Sequence, residues 1–315
     1  MDWLLDQVQY WYGNVYGLIL LNKWKELAKM LKTSEYYSHI SECLSIHDVN
    51  NIKEKYGDYG SYREKINSRM LQDWISRKEF TSDHRFPIFF VDSIGIGVPL
   101  ISYNRYTYFP ENTYSIIWPL DYHVKEAKYG LSDTIPFDKK INQVVFRGVL
   151  SGPTKSGIKA SRNEIVKLWK NKPWTNLGIT GVPDHIPFND SSVMTPPLSR
   201  EEQMNYKYIL CIEGADISSG FGWVLLSNSV PICPYPFRFE TWFFNGLKPW
   251  VHFVPIKIDG SDLEDVYNWC ESNPDICLKI VSAGKMHMLQ MINNDNLEKI
   301  KNAVVDLWNL KVQDF

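Results

Sequence analysis

Two aspartates and one arginine follow short apolar segments that predict buried strands. Asp92 comes directly after the run PIFFV, Asp121 shortly after the run IIW, and Arg147 directly after the run VVF. Ligands of open α/β sheets bind at the carboxyl ends of the strands. A carboxylate there can take a proton from a hydroxyl, and an arginine can bind a diphosphate through paired N–H groups. Alternatively, either aspartate caps a turn and Arg147 forms a surface ion pair.

A turn rich in glycine and serine joins the apolar run YILCI at 208–212 to the apolar segment FGWVLL. The run predicts a buried strand, the segment a buried helix, and Ser229–Pro234 a second buried strand. Asp216, Ser218 and Ser219 stand where helix caps occur, and the N–H groups of a helix N-terminus suit a phosphate or carboxylate. An ordinary capped turn without a ligand is the alternative. The candidate binding residues of this turn are Gly214, Asp216, Ile217, Ser218, Ser219 and Gly220.

Three further residues could contact a phosphorylated ligand or a sugar. Gly148 and Arg162 bound a loop rich in Gly, Ser and Lys, which either wraps a phosphate or is simply mobile. Glu240, in the aromatic segment FETWF, either accepts hydrogen bonds from sugar hydroxyls or stands at the start of a helix. No Asp-x-Asp triplet follows a predicted strand, so no carboxylate pair is placed to bridge a metal and a diphosphate. We therefore predict neither a metal nor another cofactor.

Four segments, in this order, make the chain resemble glycosyltransferase family 90. They are VVFRG at 144–148, YKYILCIEGADISSGFGW at 206–223, FETWF at 239–243 and LKPWVHFVPIK at 247–257. The resemblance covers about residues 85–290 and is closest to the bacterial enzymes that modify lipopolysaccharide. The family also includes capsule-associated xylosyltransferases and protein O-glucosyltransferases. The resemblance implies an α/β protein with the GT-B fold, in which two Rossmann-like domains face each other across a cleft, here with a helical N-terminal extension.

The resemblance also implies a reaction. It is an inverting, metal-independent transfer of xylose or glucose from a UDP-sugar to a hydroxyl of an oligosaccharide, polysaccharide or glycolipid. One base deprotonates the acceptor hydroxyl as it attacks the anomeric carbon. Asp92 corresponds in place to the catalytic aspartate of the family, and Asp121 is the second candidate. Arg147 matches the arginine that contacts the diphosphate, and Arg162 and Glu240 match residues near the donor.

Departures from the family pattern keep two other functions open. Ala215 replaces the Asn that is usual in the bacterial branch, and Gly220 and Gly222 stand where relatives carry basic or amide side chains. A site altered in this way would suit a non-catalytic protein that binds a nucleotide-sugar or a carbohydrate. A different enzyme on a doubly wound fold, such as a nucleotide-sugar hydrolase, is the third hypothesis.

The composition is typical of a globular protein and gives no indication of a nucleic-acid partner. The 315 residues carry a net charge of −2, without the basic excess that nucleic-acid binding requires. The five cysteines have no metal-ligand spacing, and their odd number favours a reducing compartment. The N-terminus has neither a secretory signal nor an apolar segment long enough to span a bilayer. We therefore expect a cytoplasmic protein without a transmembrane segment, in a bacterial or viral setting.

The predicted elements and the resemblance together divide the chain into three parts. Residues 1–135 would bind the acceptor, residues 136–295 the UDP-sugar, and residues 296–315 would form a helix that packs back across the junction. A linker is predicted at 124–140, where no apolar periodicity occurs. Residues 3–33 predict amphipathic helices whose apolar face either packs on the domain or makes weak contact with a membrane surface or a partner.

Three other segments complete the prediction. A helix is expected at Tyr62–Lys78, because apolar residues recur there at intervals of four. A short helix is expected around Ser38–Ile46. The polar segment Pro173–Pro197, rich in Pro, Asn and Asp, predicts a long loop.

Overall fold

The computed structural model is a mixed α/β protein, as the sequence predicts. The described residues are 3–13, 41–45, 73–74, 76–77, 85–89, 100–107, 115–119, 121–152, 161–183, 186 and 188–311. The described strands are β1 (Ser41–Ser45), β2 (Arg85–Phe89), β3 (Leu100–Ser102), β4 (Asn104–Tyr106), β5 (Ser115–Ile117), β6 (Ile141–Val149), β7 (Thr175–Gly181), β8 (Tyr206–Leu210), β9 (Val230–Pro234), β10 (Phe239–Thr241) and β11 (Val254–Ile256). The described helices are α1 (Trp3–Tyr12), α2 (Asp121–Ala127), α3 (Arg162–Trp169), α4 (Arg200–Gln203), α5 (Phe221–Leu226), α6 (Leu263–Ser272), α7 (Pro274–Met291) and α8 (Asn294–Lys311).

Two compact units make up the chain. The first is built from residues 1–121, 239–245 and 293–315, and the second from residues 122–238 and 246–292. The second unit therefore contains the glycine-serine turn, whereas the segment FETWF belongs to the first.

A five-stranded parallel sheet forms the centre of the second unit, with the strand order β11-β9-β8-β6-β7. β6 comes first in the chain, and it lies between β7 and β8, which follow it. The winding of the sheet therefore reverses between β6 and β8. At such a point the chain leaves the two strands toward opposite faces, and a crevice opens at their carboxyl ends. The fold thus places a potential ligand site between the loops that follow β6 and β8.

Alternating apolar residues build a core on one face of this sheet. Side chains alternate between the two faces of a strand, so Val144 and Phe146 of β6 share a face with Tyr208 and Leu210 of β8. Helices α3, α6 and α7 cover this face. Their buried contributions include Ile165, Val166, Leu263, Val266, Cys270 and Ile280.

The first unit contains a smaller mixed sheet and a core rich in tryptophan. β1 pairs antiparallel with β2, and β2, β3 and β5 follow in parallel, while β10 pairs antiparallel with β4. Trp11 of α1 donates its indole N–H to the carbonyl of Trp242 at 2.9 Å. The ring of Trp74 lies 4.8 Å from that of Trp118 and 5.8 Å from that of Trp308 of α8. These aromatic residues therefore serve the core of this unit.

The linker predicted at 124–140 is wrong, because this segment folds onto the second unit. It contains the end of α2 and the short 3-10 helices Lys128–Ser132 and Phe137–Lys139. Gly130 packs so closely against the backbone of Trp223 in α5 that a β-carbon at this position would collide with it. The absence of apolar periodicity therefore does not mark an exposed connection.

Two further segments differ from the prediction. The segment expected to form a helix at Ser38–Ile46 contains a strand, β1, which pairs with β2. The loop expected at Pro173–Pro197 contains β7, an edge strand whose Leu177 and Ile179 enter the core. The helix predicted at Tyr62–Lys78 lies largely outside the described residues. The predicted division of the chain into three parts stays a prediction.

The N-terminal helices predicted at 3–33 are described only in part. α1 buries Val8 and Trp11, and residues 14–33 of the predicted segment lie outside the described part of the chain. Among the helices that the structure describes, none is long and apolar enough to cross a membrane.

Candidate functional site

The loops that follow β6 and β8 are in backbone contact where the sheet reverses its winding. Gly152, after β6, has a φ of +86°, which residues other than glycine rarely adopt. A β-carbon at Gly152 would collide with the carbonyl oxygen of Gly214, and one at Gly214 would collide with the hydroxyl of Ser151. Gly148 also faces this region, since a β-carbon there would lie 3.5 Å from Nη1 of Arg162. Glycine is therefore required for the close approach of the two loops.

Arg162, in the first turn of α3, connects the two loops. Ser161 caps α3 through its side chain and so fixes where the helix begins. The Arg162 guanidinium donates to the carbonyl of Ile212 through Nε at 3.2 Å and Nη2 at 3.0 Å. Its Nη1 donates to the carbonyl of Val149 at 2.7 Å and to the hydroxyl of Ser151 at 3.0 Å. One cation therefore bridges the carboxyl ends of β6 and β8.

The positive charge of Arg162 is balanced only in part. Its hydrogen-bond acceptors are neutral oxygens, and no described carboxylate lies within ion-pair distance of its guanidinium. Burial lowers the pKa of Arg162 to about 10, an effect that Asp216 and Glu213 oppose and Arg238 strengthens. Because desolvation makes an unneutralised charge costly, an anion bound here would gain from the interaction.

A second arginine, Arg238, also contacts Gly214, and the sequence analysis did not select it. Arg238 donates Nε–H to Oε2 of Glu213 at 3.0 Å and Nη2–H to the carbonyl of Gly214 at 3.2 Å. Its backbone N–H donates to both carboxylate oxygens of Glu213, at 3.1 and 3.2 Å. The sequence signal that could have pointed to this pair is the position of Glu213 just beyond β8, where ligand sites occur.

Arg147 lies on the opposite face of the sheet from Arg162. It alternates in β6 with Phe146, whose ring lies 5.9 Å from the Arg162 guanidinium. Arg147 donates to the carbonyl oxygens of Pro196, Phe146 and Asn176 at 2.8–3.0 Å, and to Oδ1 of Asn176 at 2.8 Å. Burial lowers its pKa, and no described carboxylate pairs with it. The structure does not bring Arg147 and Arg162 together.

The glycine-serine turn lies in the second unit, but it does not end in the capped helix that the sequence predicted. α5 begins at Phe221, and its N-cap is Gly220, which makes no side-chain cap. The prediction that Asp216, Ser218 and Ser219 cap this helix is therefore wrong. The chain reaches helical geometry only at Gly220, after the serines.

Part of this turn lies beside Arg162. The N–H of Gly214 donates to the carbonyl of Asp216 at 2.9 Å, and a β-carbon at Gly214 would lie 3.0 Å from the Arg162 guanidinium carbon. Ile217 is buried and Ser219 is exposed. Gly214 and Asp216 are thus the turn residues that the structure places with Arg162.

Glu240 lies in β10 of the first unit, so its placement at a helix start is wrong. The pairing of β10 with β4 brings Arg105 beside it, and Arg105 donates Nε–H to the Glu240 carboxylate. The Arg105 guanidinium also lies over the ring of Tyr10 at 4.9 Å. Glu240 therefore helps to hold two strands together, and its contact with a sugar stays a prediction.

The structure describes one of the two candidate bases. Asp92 lies outside the described residues. Asp121 is the first residue of α2, its side chain is 92% exposed, and it lies 3.7 Å from Nζ of Lys301. Lys301 also pairs with Asp73 at 2.8 Å. Asp121 is therefore a surface carboxylate beside a lysine that already has another partner.

Metal-ligating side chains do not cluster in the part of the chain that the structure describes. No group of three or more His, Cys, Asp or Glu side chains there could hold a metal ion. The cysteines at positions 211, 233, 270 and 277 are free and buried.

A comparison with protein families identifies the family of this chain. The profile of glycosyl transferase family 90 matches residues 101–304, well over half of the chain. The chain belongs to glycosyl transferase family 90. The matched region of this family 90 protein includes the whole second unit, with both arginines beside Gly214.

Two of three relatives compared with this family 90 protein carry names that refer to glucose. The O-glucosyltransferase LpsA of Dichelobacter nodosus is 29% identical over 168 residues, which are 51% of this chain and 48% of LpsA. Protein O-glucosyltransferase 1 of Rattus norvegicus is 23% identical over 171 residues, 51% of this chain and 40% of the rat protein. Uncharacterized protein 179R of Invertebrate iridescent virus 6 is 33% identical over 120 residues, 35% of this chain and 10% of the viral protein. The chain thus spans about half the length of these relatives, or less.

Gly152→Ala is expected to destabilise this family 90 protein by about 1–3 kcal/mol, because the new β-carbon meets the backbone of Gly214 and the residue must keep its positive φ. Urea denaturation measures the change. The control is Gly181→Ala, because the nearest atom to a β-carbon there is 3.9 Å away. Equal stability of the two variants would contradict the close contact between the loops.

Proposed function

We propose that this protein is an inverting transferase that moves glucose or xylose from a UDP-sugar to a hydroxyl of an oligosaccharide, polysaccharide or glycolipid. Membership of family 90 supports glycosyl transfer as the class of activity. The names of LpsA and protein O-glucosyltransferase 1 favour glucose among the two sugars.

The observation that carries the UDP-sugar proposal is the position of Arg162. Its guanidinium lies at the carboxyl ends of β6 and β8, where parallel sheets bind ligands, and its hydrogen-bond acceptors are neutral. Departure of UDP places growing negative charge on the diphosphate, which a fixed cation in a partly buried site stabilises. The glycines at positions 152 and 214 allow the two loops to meet in backbone contact, which holds Arg162 at this edge of the sheet.

Two residues keep the roles that the resemblance gave them, as proposals. Asp92 is the proposed base that deprotonates the acceptor hydroxyl. Arg147 stays a candidate for the diphosphate, because its half-buried charge also has neutral acceptors, although it lies on the other face of the sheet. In this proposal arginine side chains neutralise the leaving group, and no metal takes part.

We also propose that the two units are the two domains of a GT-B fold, with the donor bound by the second. The strand order of the second unit supports this proposal, because the reversal between β6 and β8 is the arrangement that binds nucleotides in doubly wound sheets. The acceptor would then be bound by the first unit.

The test is UDP release from a panel of UDP-sugars, with EDTA present and with calorimetry of UDP alone. We expect slow hydrolysis of UDP-glucose or UDP-xylose that survives EDTA. Loss of all release in EDTA, with recovery on adding a divalent metal, would contradict the metal-independent mechanism. UDP binding without release from any donor, even with glycan acceptors added, would favour a non-catalytic binding protein. The absence of UDP binding would exclude the donor proposal.

A further inference from the structure

We propose that Arg238 is a second arginine that binds the donor diphosphate, at the same turn as Arg162. This inference rests on the proposed function, because it names a further residue of the same site. Arg238 is the last residue before β10, and its partner Glu213 lies just beyond β8. Both belong to the second unit.

Both arginines donate to carbonyl groups of one short turn. Arg162 donates to the carbonyl of Ile212, and Arg238 donates to the carbonyl of Gly214, two residues further along. The guanidinium of Arg238 is close enough to that of Arg162 to strengthen the lowering of its pKa, which burial causes. Two guanidinium groups repel each other, and an anion bound beside both would relieve the repulsion. A diphosphate, with more than one negative charge, matches two cations better than a monophosphate does.

Glu213 holds Arg238 in the orientation that this role requires. The side chains of Arg238 and Glu213 are 18% and 10% exposed, so solvent screens their contact weakly. Glu213 accepts Nε–H and the backbone N–H of Arg238, which fixes both ends of the arginine side chain. The terminal Nη2 is thereby directed to Gly214, beside the backbone contact between the two loops. A guanidinium fixed in this way loses little conformational entropy when it binds a ligand.

The first experiment compares the affinities of UDP, UMP and uridine for the wild type and Arg238→Gln. We expect the variant to bind UDP about 10- to 100-fold more weakly, because a hydrogen bond between charged groups is lost. Uridine, which lacks phosphate, should bind both proteins within about twofold, because the base and ribose contacts are unchanged. Equal losses for UDP and uridine would indicate a structural role and overturn the proposal, as would an unchanged affinity for UDP.

A matched control is Arg200→Gln. Arg200 pairs with Glu126 in the same unit, but it starts α4, which precedes β8 and so lies toward the amino end of that strand. We expect this variant to bind UDP and uridine as the wild type does. A loss of UDP affinity equal to that of Arg238→Gln would show that any broken arginine–glutamate pair has this effect, and it would overturn the proposal.

Glu213→Gln distinguishes a binding role of Arg238 from a purely structural role by the direction in which the affinity for UDP changes. Glutamine keeps a side-chain oxygen that can accept Nε–H of Arg238, so the arginine keeps its orientation, and the change removes a negative charge near the diphosphate. UDP affinity should therefore be equal or higher. If the pair were only structural, Glu213→Gln and Arg238→Gln would both weaken UDP binding, and the proposal would fail. A wild type that binds no UDP would instead refute the proposed function itself.

Discussion

Asp92→Asn is expected to lower the rate of sugar transfer by about 10²- to 10⁴-fold, the usual contribution of a general base. Asparagine keeps the size of the side chain but cannot accept the proton of the acceptor hydroxyl. UDP binding should be nearly unchanged, because the diphosphate contacts that we propose lie in the second unit. The measurement is the initial rate of transfer from the UDP-sugar that the donor panel identifies, in the presence of EDTA.

Asp121→Asn is the control for this experiment. Asp121 is largely exposed and lies beside Lys301, so its loss should leave the rate close to that of the wild type. A large loss of activity in Asp121→Asn, with normal activity in Asp92→Asn, would transfer the role of base to Asp121. Full activity in both variants would show that neither carboxylate is the base.

The buried strands of the second unit were predictable from the sequence, because continuous apolar runs encode them. The run YILCI at 208–212 corresponds to β8, and Ser229–Pro234 to β9. Both strands are central in a parallel sheet covered on both faces, so nearly every side chain in them is apolar. β7 was not predictable in this way. It is an edge strand with the sequence TNLGITG, and only alternate residues such as Leu177 and Ile179 reach the core.

The location of the candidate site was predictable in part. The sequence analysis selected Arg147, Arg162 and Gly214 from strand ends and from the resemblance. Alternation along β6 could have shown that Arg147 and Phe146 point to opposite faces. The face of the sheet on which Arg162 lies, however, depends on the order of the strands and the placement of helix α3, which no local pattern reveals.

The pair formed by Glu213 and Arg238 shows the same limit. These residues are 25 positions apart, and their contact depends on how the chain returns from β9 beside the end of β8. Local sequence assigned Glu213 to the end of a strand and assigned Arg238 to no element. Long-range pairing of strands, rather than any short motif, therefore places the second cation beside Gly214.

A buried ion pair holds the amino ends of the strands whose carboxyl ends form the candidate site. The side chains of Lys140 and Asp133 are both fully buried, with Nζ 2.8 Å from Oδ2. Lys140 precedes β6 and also donates to the carbonyl of Met204, which precedes β8. Asp133 accepts the backbone N–H of Asn228, which precedes β9, at 2.7 Å. Burial lowers the pKa of Lys140, and Asp133 opposes this effect.

Lys140→Met is therefore expected to lower the free energy of unfolding by about 3–5 kcal/mol, because it leaves the Asp133 carboxylate buried without its cation. Denaturation in urea measures this loss, and Lys139→Met is the control, since Lys139 is 73% exposed and should contribute little.

The double variant with Lys140→Met and Asp133→Asn should be more stable than Lys140→Met alone, because it removes the unpaired charge and keeps an amide oxygen as acceptor. Equal stability of the Lys140 and Lys139 variants would contradict a buried ion pair. A double variant less stable than the single one would show instead that the backbone N–H groups of residues 135 and 228 depend on the full carboxylate.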